Sequence, residues 1–453
     1  MDDSRPHLLI IGGGPAGTQA ATTAATKSAR VTLVERDIVG GAAHLLDCIP
    51  SKTMAASALR HTSVRNAVKL GLVNDPGRVD PKVLSDRIEE ITSDIHRNWM
   101  DLLTSQEVEV LRGTGRFVGP HEAVVETAEG ERRVGFDMAL VSTGSAPRVP
   151  DWAPVDGKRV LTTRDCYDLE QVPEHIVVIG SGVTGVEFTH IFESMGSEVS
   201  LVVSRQQILP HRDPEVAAVL EEDFLERGVK LIIGARAEAI EVGDDQLSVI
   251  CNDGRVIEGT HALLAVGSVP LSEGLGLEAA GVEVDERGYI PVDEYQRTSV
   301  PHIYAAGDVT GQMLLSSVAS MQGRKIARHA MNLPVTPLDY SKVAEAIFTE
   351  PEIASVGLVD VDAAAQGRKV RTTKVPFASN ARSVLQHFTR GFVKITSDPA
   401  TGIVLGGTIV GHRASELIGI VALAVQAQVS AATLVETLMV HPSMTEAITD
   451  AAE

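Results

Sequence analysis

An apolar run, His7-Leu-Leu-Ile-Ile-Gly12, feeds a glycine-rich turn and is followed by an Ala-rich stretch to about Lys27 and a second apolar run, Arg30 to Glu35. Continuous apolar runs separated by a helix-length segment predict a βαβ unit whose parallel strands are buried on both faces. The same pattern returns at His175-Ile-Val-Val-Ile-Gly180, with a helix predicted from about Val183 to Met195 and a strand from Glu198 to Val203. Two nucleotide-binding units are therefore written in tandem. Between them, Asp80 to Gln106 reads as one long amphipathic helix, opened by Asp80-Pro81 as cap and first-turn proline. Beyond the proline-punctuated segment Pro334 to Asp339, strands are expected at Ala344–Phe348, Gly391–Thr396 and Ile403–Val410, with helices from Ser415 and Ala431. The apolar stretch Leu417 to Val425 is far short of the ~20 residues that cross a bilayer, so it reads as a buried helix and no integral membrane segment is expected.

Charge and cysteine content narrow the function. With 60 acidic against 40 basic residues the formal charge is −20, which opposes nucleic acid and anionic lipid as partners. Met1 to Arg5 lacks the basic region and cleavage site of a signal peptide, so a cytoplasmic location is expected. The three cysteines, Cys48, Cys166 and Cys251, are too few and too scattered for a disulfide framework or a thiolate metal site, and the histidines show no ligand spacing. No metal is expected.

The first turn, Gly12-Gly-Gly14-Pro15-Ala16-Gly17, fits GxGxxG, in which one glycine makes the turn, one admits pyrophosphate and one lets the helix approach the strand. Glu35, at the end of the next strand, is placed to accept from an adenosine ribose hydroxyl. Gly180-Ser-Gly182-Val-Thr-Gly185 repeats the turn, but at the place matched to Glu35 the strand ends in Ser204, followed by Arg205. A carboxylate there would repel a 2′-phosphate, whereas Ser204 and Arg205 would accept it. NADPH is thus expected in preference to NADH, with a merely solvated Arg205 as the plain alternative.

Across Gly40-Gly41-Ala42-Ala43-His-Leu-Leu-Asp-Cys48-Ile-Pro-Ser-Lys52 the sequence resembles the flavoprotein pyridine nucleotide-disulfide oxidoreductases. The resemblance continues through Ser142-Thr143-Gly144, Ile303-Tyr-Ala-Ala-Gly307-Asp308, Phe348-Thr-Glu-Pro351 and His441-Pro-Ser-Met-Thr-Glu446. It implies an α/β fold with two Rossmann-like dinucleotide-binding domains plus a C-terminal α+β dimerisation domain. The implied domains are an FAD-binding domain in two parts (1–150 and 267–333), an NAD(P)H-binding domain (151–266) and an interface domain (334–453). FAD, NADPH (NADH also possible) and a homodimer are implied with it. The implied cofactor-binding residues are Gly12, Gly14, Pro15, Ala16, Gly17, Glu35, Arg36, Gly41, Ala42, Lys52, Thr143, Gly144, Gly180, Gly182, Gly185, Ser204, Arg205, Gly267, Gly307 and Asp308, with Asp308 on the flavin ribityl chain. The resemblance also implies a Lys52–Glu187 ion pair beside the flavin N5 and an acid–base His441, oriented by Glu446 and delivered to the partner's flavin.

One departure bears on the reaction. Family disulfide reductases carry Cys-x4-Cys in this segment, and here Ala43 matches the substrate-facing cysteine while Cys48 matches the flavin-proximal one. A single thiol cannot close the internal disulfide that stores two electrons. The expectation is therefore direct transfer from flavin to a quinone-type acceptor, as in a subgroup of actinobacterial NAD(P)H-quinone reductases that this sequence resembles. Cys48 reads either as an inert packed thiol or as a thiolate that tunes the flavin. Rival readings are soluble pyridine nucleotide transhydrogenation, residual dihydrolipoamide or disulfide reduction, and a non-catalytic flavoprotein scaffold.

Overall fold

The computed structural model describes residues 5–72, 75 and 77–453; the signal-peptide reading of the first residues lies largely outside them. The chain divides into two compact units. One gathers residues 1–51, 85–148 and 268–338, and the other residues 52–84, 149–267 and 339–453.

The first unit is built on a five-stranded parallel sheet in the order Ile303–Ala305, Met138–Val141, His7–Ile11, Arg30–Glu35 and Glu109–Arg112. Leu8, Leu9 and Ile10 lose all solvent contact because the sheet is covered on both faces. Helices Pro15–Ala25 and Ser316–Ala330 join the core on one face. They meet so closely that a Cβ on Gly323 would lie 2.1 Å from the Ala16 carbonyl oxygen. On the other face an antiparallel meander, Thr114–Gly119, Glu122–Thr127 and Gly130–Gly135, packs Phe117 and Val125 with Ile11 and Val34. The long helix expected from Asp80 runs Pro81–Ser105.

The second unit holds another parallel sheet, ordered Lys230–Ile233, Glu198–Val203, His175–Ile179, His261–Leu264 and Val160–Leu161. The helix Val183–Met195 follows its central strand. An antiparallel sheet in the order Glu345–Ile347, Glu352–Gly357, Val404–Gly411, Phe392–Ser397 and Arg371–Pro376 shares a core with helices Ala414–Gln426 and Glu446–Ala452. Strands and helices expected beyond residue 339 are present with ends moved by about a residue, as fraying termini do. Among the described residues no helix is long and apolar enough to cross a membrane.

In both parallel sheets the strand order reverses at the first strand of the βαβ unit, His7–Ile11 and His175–Ile179. Ligands of open α/β sheets bind outside the carboxyl end of the strands at such a reversal. Both glycine-rich turns emerge there.

Candidate functional site

The glycines of each turn differ in what demands them. Gly12 has φ +105°, and a Cβ there would sit 2.3 Å from Ser142 O; one on Gly17 would sit 2.0 Å from Gly12 O. The chain itself requires those two. Gly14 has φ −73°, and the nearest atom to an added Cβ is Gly41 Cα at an ordinary 3.8 Å. Neither backbone nor packing calls for glycine at that point, which fits a group from outside the chain coming against the backbone. The second turn repeats the logic. A Cβ on Gly180 (φ +112°) would lie 2.3 Å from Ala265 O and one on Gly185 1.8 Å from Gly180 O, whereas Gly182, at φ −74°, faces open space. Among the described residues no side chain caps either following helix, which fits an anion such as pyrophosphate at the first-turn N–H groups, and Pro15 fills the first helical position.

Around the first turn, Glu35 accepts from Gly13 N–H at 2.7 Å and from Asp37 N–H at 2.8 Å, while Arg36 leans on Asp37 at 3.3 Å. Gly41 (φ +89°) backs onto Gly14, followed by half-buried Ala42. Thr143 donates to Leu271 O at 2.6 Å, and Gly144 and Gly267 take φ of +74° and +93°. Asp308 accepts from Ser145 Oγ at 2.6 Å, and Gly307 N–H donates to Gln322 at 2.8 Å. Burial pushes the Asp308 carboxyl above its ordinary value, with Ser145 opposing and Asp47 adding to the rise. Ser145 and Gln322 carry no sequence signal and were missed.

Backbone register corrects one match made from the sequence. Gly12 N–H bonds Val34 O and Gly180 N–H bonds Val202 O, so the residue in Glu35's place is Val203, and Ser204 stands in the place of Arg36. The same spacing is in the sequence, since Glu35 follows Gly17 and Val203 follows Gly185 by 18 residues each. The acid is still missing, because Val203 is apolar and fully buried. Ser204 and Arg205 are exposed just past the strand.

Lys52 and Glu187, paired by resemblance alone, are joined in the second unit. Lys52 Nζ lies 2.7 Å from Glu187 Oε2, with side chains 30% and 6% exposed. The other carboxylate oxygen accepts from Phe348 N–H at 2.9 Å, and the Phe348 ring centroid lies 5.2 Å from the ammonium. Nothing in the sequence assigns Phe348 a role of its own.

No disulfide links Cys48, Cys166 and Cys251. Ala43 opens a π-helical turn, His44–Cys48, which runs into the helix Ile49–Arg65. Such turns recur at functional sites. His44, also missed, brings Nδ1 to 3.2 Å from Ser316 Oγ, and burial lowers its pKa, favouring a neutral imidazole.

His441 faces solvent with a 73% exposed side chain, yet its Nδ1 is 2.8 Å from Glu446 Oε1. A carboxylate only accepts, so Nδ1 carries the proton of this bond and Nε2 is left outward. Ser443 N–H at 2.9 Å, then His441, hold Glu446 below the usual carboxylate range. The neighbouring Leu438 and Val440 are 97% and 76% exposed.

The sequence matches the profile for pyridine nucleotide-disulphide oxidoreductases over residues 6–323 and the dimerisation-domain profile of the same group over residues 343–452. The chain belongs to the pyridine nucleotide-disulphide oxidoreductase family. It is an oxidoreductase of a family that works with FAD and NAD(P)H, and its dimerisation domain supports a homodimer. It is 40% identical to a Mycobacterium tuberculosis NAD(P)H dehydrogenase (quinone), over 98% of this chain and 93% of that protein. It is 34% identical to the dihydrolipoyl dehydrogenase of Chlamydia pneumoniae, over 97% and 94% of the two chains. The crystal structure of LpdA from M. tuberculosis superposes with a TM-score of 0.94 at 40% identity over 99% of both chains. The flavoprotein disulfide reductase RclA from Escherichia coli gives 0.89 at 26% identity, over 98% and 99% of the two chains.

Proposed function

We propose that this family member takes hydride from NADPH and delivers it to a quinone-type acceptor through FAD alone, with no pair of sulfurs in the path. The observation that carries this reading is Ala43 in the place of the substrate-facing cysteine, with no second cysteine in the segment. The name of the 40% identical M. tuberculosis relative supports the acceptor class.

FAD, when bound, supplies a ring that accepts hydride from nicotinamide and yields it to an acceptor. Gly14 keeps the first cradle open to its pyrophosphate on a turn shaped by Gly12 and Gly17, and Asp308 takes the ribityl chain. The Lys52 ammonium, aimed by Glu187, offsets the negative charge that arrives with hydride. A quinone takes two electrons and two protons; one proton comes with the hydride, and His441 of the neighbouring subunit gives the other, its imidazole steered by Glu446. That assignment gives exposed Leu438 and Val440 a partner surface to pack on. Cys48, a single thiol, does not store the electrons as a disulfide on this path.

The test is anaerobic. NADPH bleaches the yellow holoenzyme, and a naphthoquinone such as menadione restores the colour, at equal rates in wild type and Cys48→Ser. An enzyme that bleaches but stays pale with quinone contradicts the acceptor, and one that never bleaches is a scaffold. His441→Ala should slow recolouring and flatten its pH dependence; an unchanged profile removes the proton-donor role.

Ser204 and Arg205 give the site its nucleotide preference. Arg205→Glu should lower kcat/KM for NADPH relative to NADH by about ten- to a hundredfold, the loss of one charge-assisted contact to phosphate. An undiminished NADPH preference in that variant rejects the assignment. A cytoplasmic location accompanies a reaction that draws on the soluble NADPH pool; recovery of the protein with the envelope on fractionation argues against it.

A further inference from the structure

We propose that Phe348 is a positioning residue that holds both halves of the Lys52–Glu187 pair, its main chain fixing the carboxylate and its ring fixing the ammonium. The inference rests on the role proposed for Lys52 in hydride transfer, but not on the acceptor.

A carboxylate has two oxygens, and those of Glu187 are divided: one receives Lys52 Nζ at 2.7 Å, the other Phe348 N–H at 2.9 Å. Rotating the group to suit one partner breaks the other bond, so its plane is set. Glu187 is buried at 6% exposure, where an unbonded oxygen would carry a desolvation cost that holds the second bond in place.

Lys52 differs. Its ammonium is a point charge on a four-carbon stem, and the side chain is 30% exposed. The Phe348 ring, 5.2 Å away by its centroid, attracts the cation through its π face.

The ring is itself anchored. Phe348 follows the strand Glu345–Ile347, whose Ile347 pairs with Ile353, and its neighbours Ile347 and Thr349 are both buried while Phe348 is half-buried. Beyond it, Thr349 Oγ1 donates to Pro351 O at 2.6 Å, and Glu350 pairs with His412 at 3.3 Å. A segment of the C-terminal antiparallel sheet, remote in sequence from both glycine-rich turns, therefore sets the aim of a charge used in hydride transfer.

The experiment compares holoenzyme carrying Phe348→Leu, Phe348→Trp, Lys52→Met and the Lys52→Met/Phe348→Leu double change. The readouts are stopped-flow bleaching by NADPH and the flavin midpoint potential measured by dye equilibration without nucleotide. Phe348→Leu keeps the N–H and an apolar bulk but loses the ring; it should slow bleaching about fivefold, leave KM for NADPH unchanged and lower the potential. Phe348→Trp should restore both. In the Lys52→Met background, removing the ring should cost nothing more, because its effect runs through the ammonium.

A full additional loss in the double variant, or a failure of Trp to rescue, overturns the proposal in favour of simple packing. So does a Phe348→Leu enzyme with wild-type rate and potential. If Lys52→Met itself bleaches normally, the role of Lys52 falls and the inference with it. A failure of quinone to recolour wild type strikes the acceptor alone and leaves these readouts intact.

Discussion

Lys52→Met should slow bleaching of the flavin by NADPH by about a hundred- to a thousandfold, the range seen when one preorganised charge-stabilising donor is removed. The loss has two sources. Methionine fills the space of the lysine stem but brings no charge to meet incoming hydride. It also leaves Glu187, buried at 6% exposure, with Phe348 N–H as its remaining bond among those described above, so a negative charge stands where a positive one is needed. Stopped-flow absorbance at saturating NADPH reads the rate directly. A variant that bleaches at the wild-type rate removes Lys52 from the reaction.

Lys394→Met should destabilise the protein by about 3–5 kcal/mol, the cost of stripping one partner from a buried ionic cluster. Lys394 is 3% exposed in the middle of the strand Phe392–Ser397, and its ammonium bonds Asp213 at 2.6 Å, Glu215 at 2.7 Å and Asp360 at 3.0 Å. One oxygen of each carboxylate lies within 4.8 Å of the others, so without the lysine the three acids repel, Asp213 at 8% exposure most strongly because Glu215 and Asp360 are partly solvated. Lys374 and Lys394 together hold Glu215 down at about 2, while the three acids raise Lys394 above its ordinary value despite burial. A depressed carboxylate stabilises the fold above its unfolded value near 4.5, and that contribution fades as pH falls toward about 2. Thermal melts at pH 7 and pH 3 check both points: the gap between wild type and variant should be large at pH 7 and narrower at pH 3, where protonation relieves the stranded acids. A gap that is small, or equal at both values, counts against the cluster.

What the sequence disclosed follows from which forces leave a local trace. Strands buried on two faces must be apolar throughout, so His7–Ile11 and His175–Ile179 stood out, and a turn that admits a phosphate must drop its side chains, so Gly14 and Gly182 did too. The helix Ile49–Arg65 left no apolar stripe to read, and the charged strand Gly130–Gly135 no alternation. Glu187 and Phe348 lie 161 residues apart, and Lys394 and Asp213 lie 181 apart; only the folded chain brings such partners together. Ser204 was matched to Glu35 by the polar end of its strand, whereas the bond from Gly180 N–H to Val202 O puts Val203 in that place, as the 18-residue spacing from Gly185 also does.

Counting reducing equivalents addresses the missing sulfur pair most directly. Anaerobic titration of the holoenzyme with dithionite should end after two electrons per subunit, all of them appearing as flavin bleaching. An endpoint at four electrons, with a long-wavelength band midway, would mean that a dithiol stores electrons beside the flavin and would contradict transfer through FAD alone.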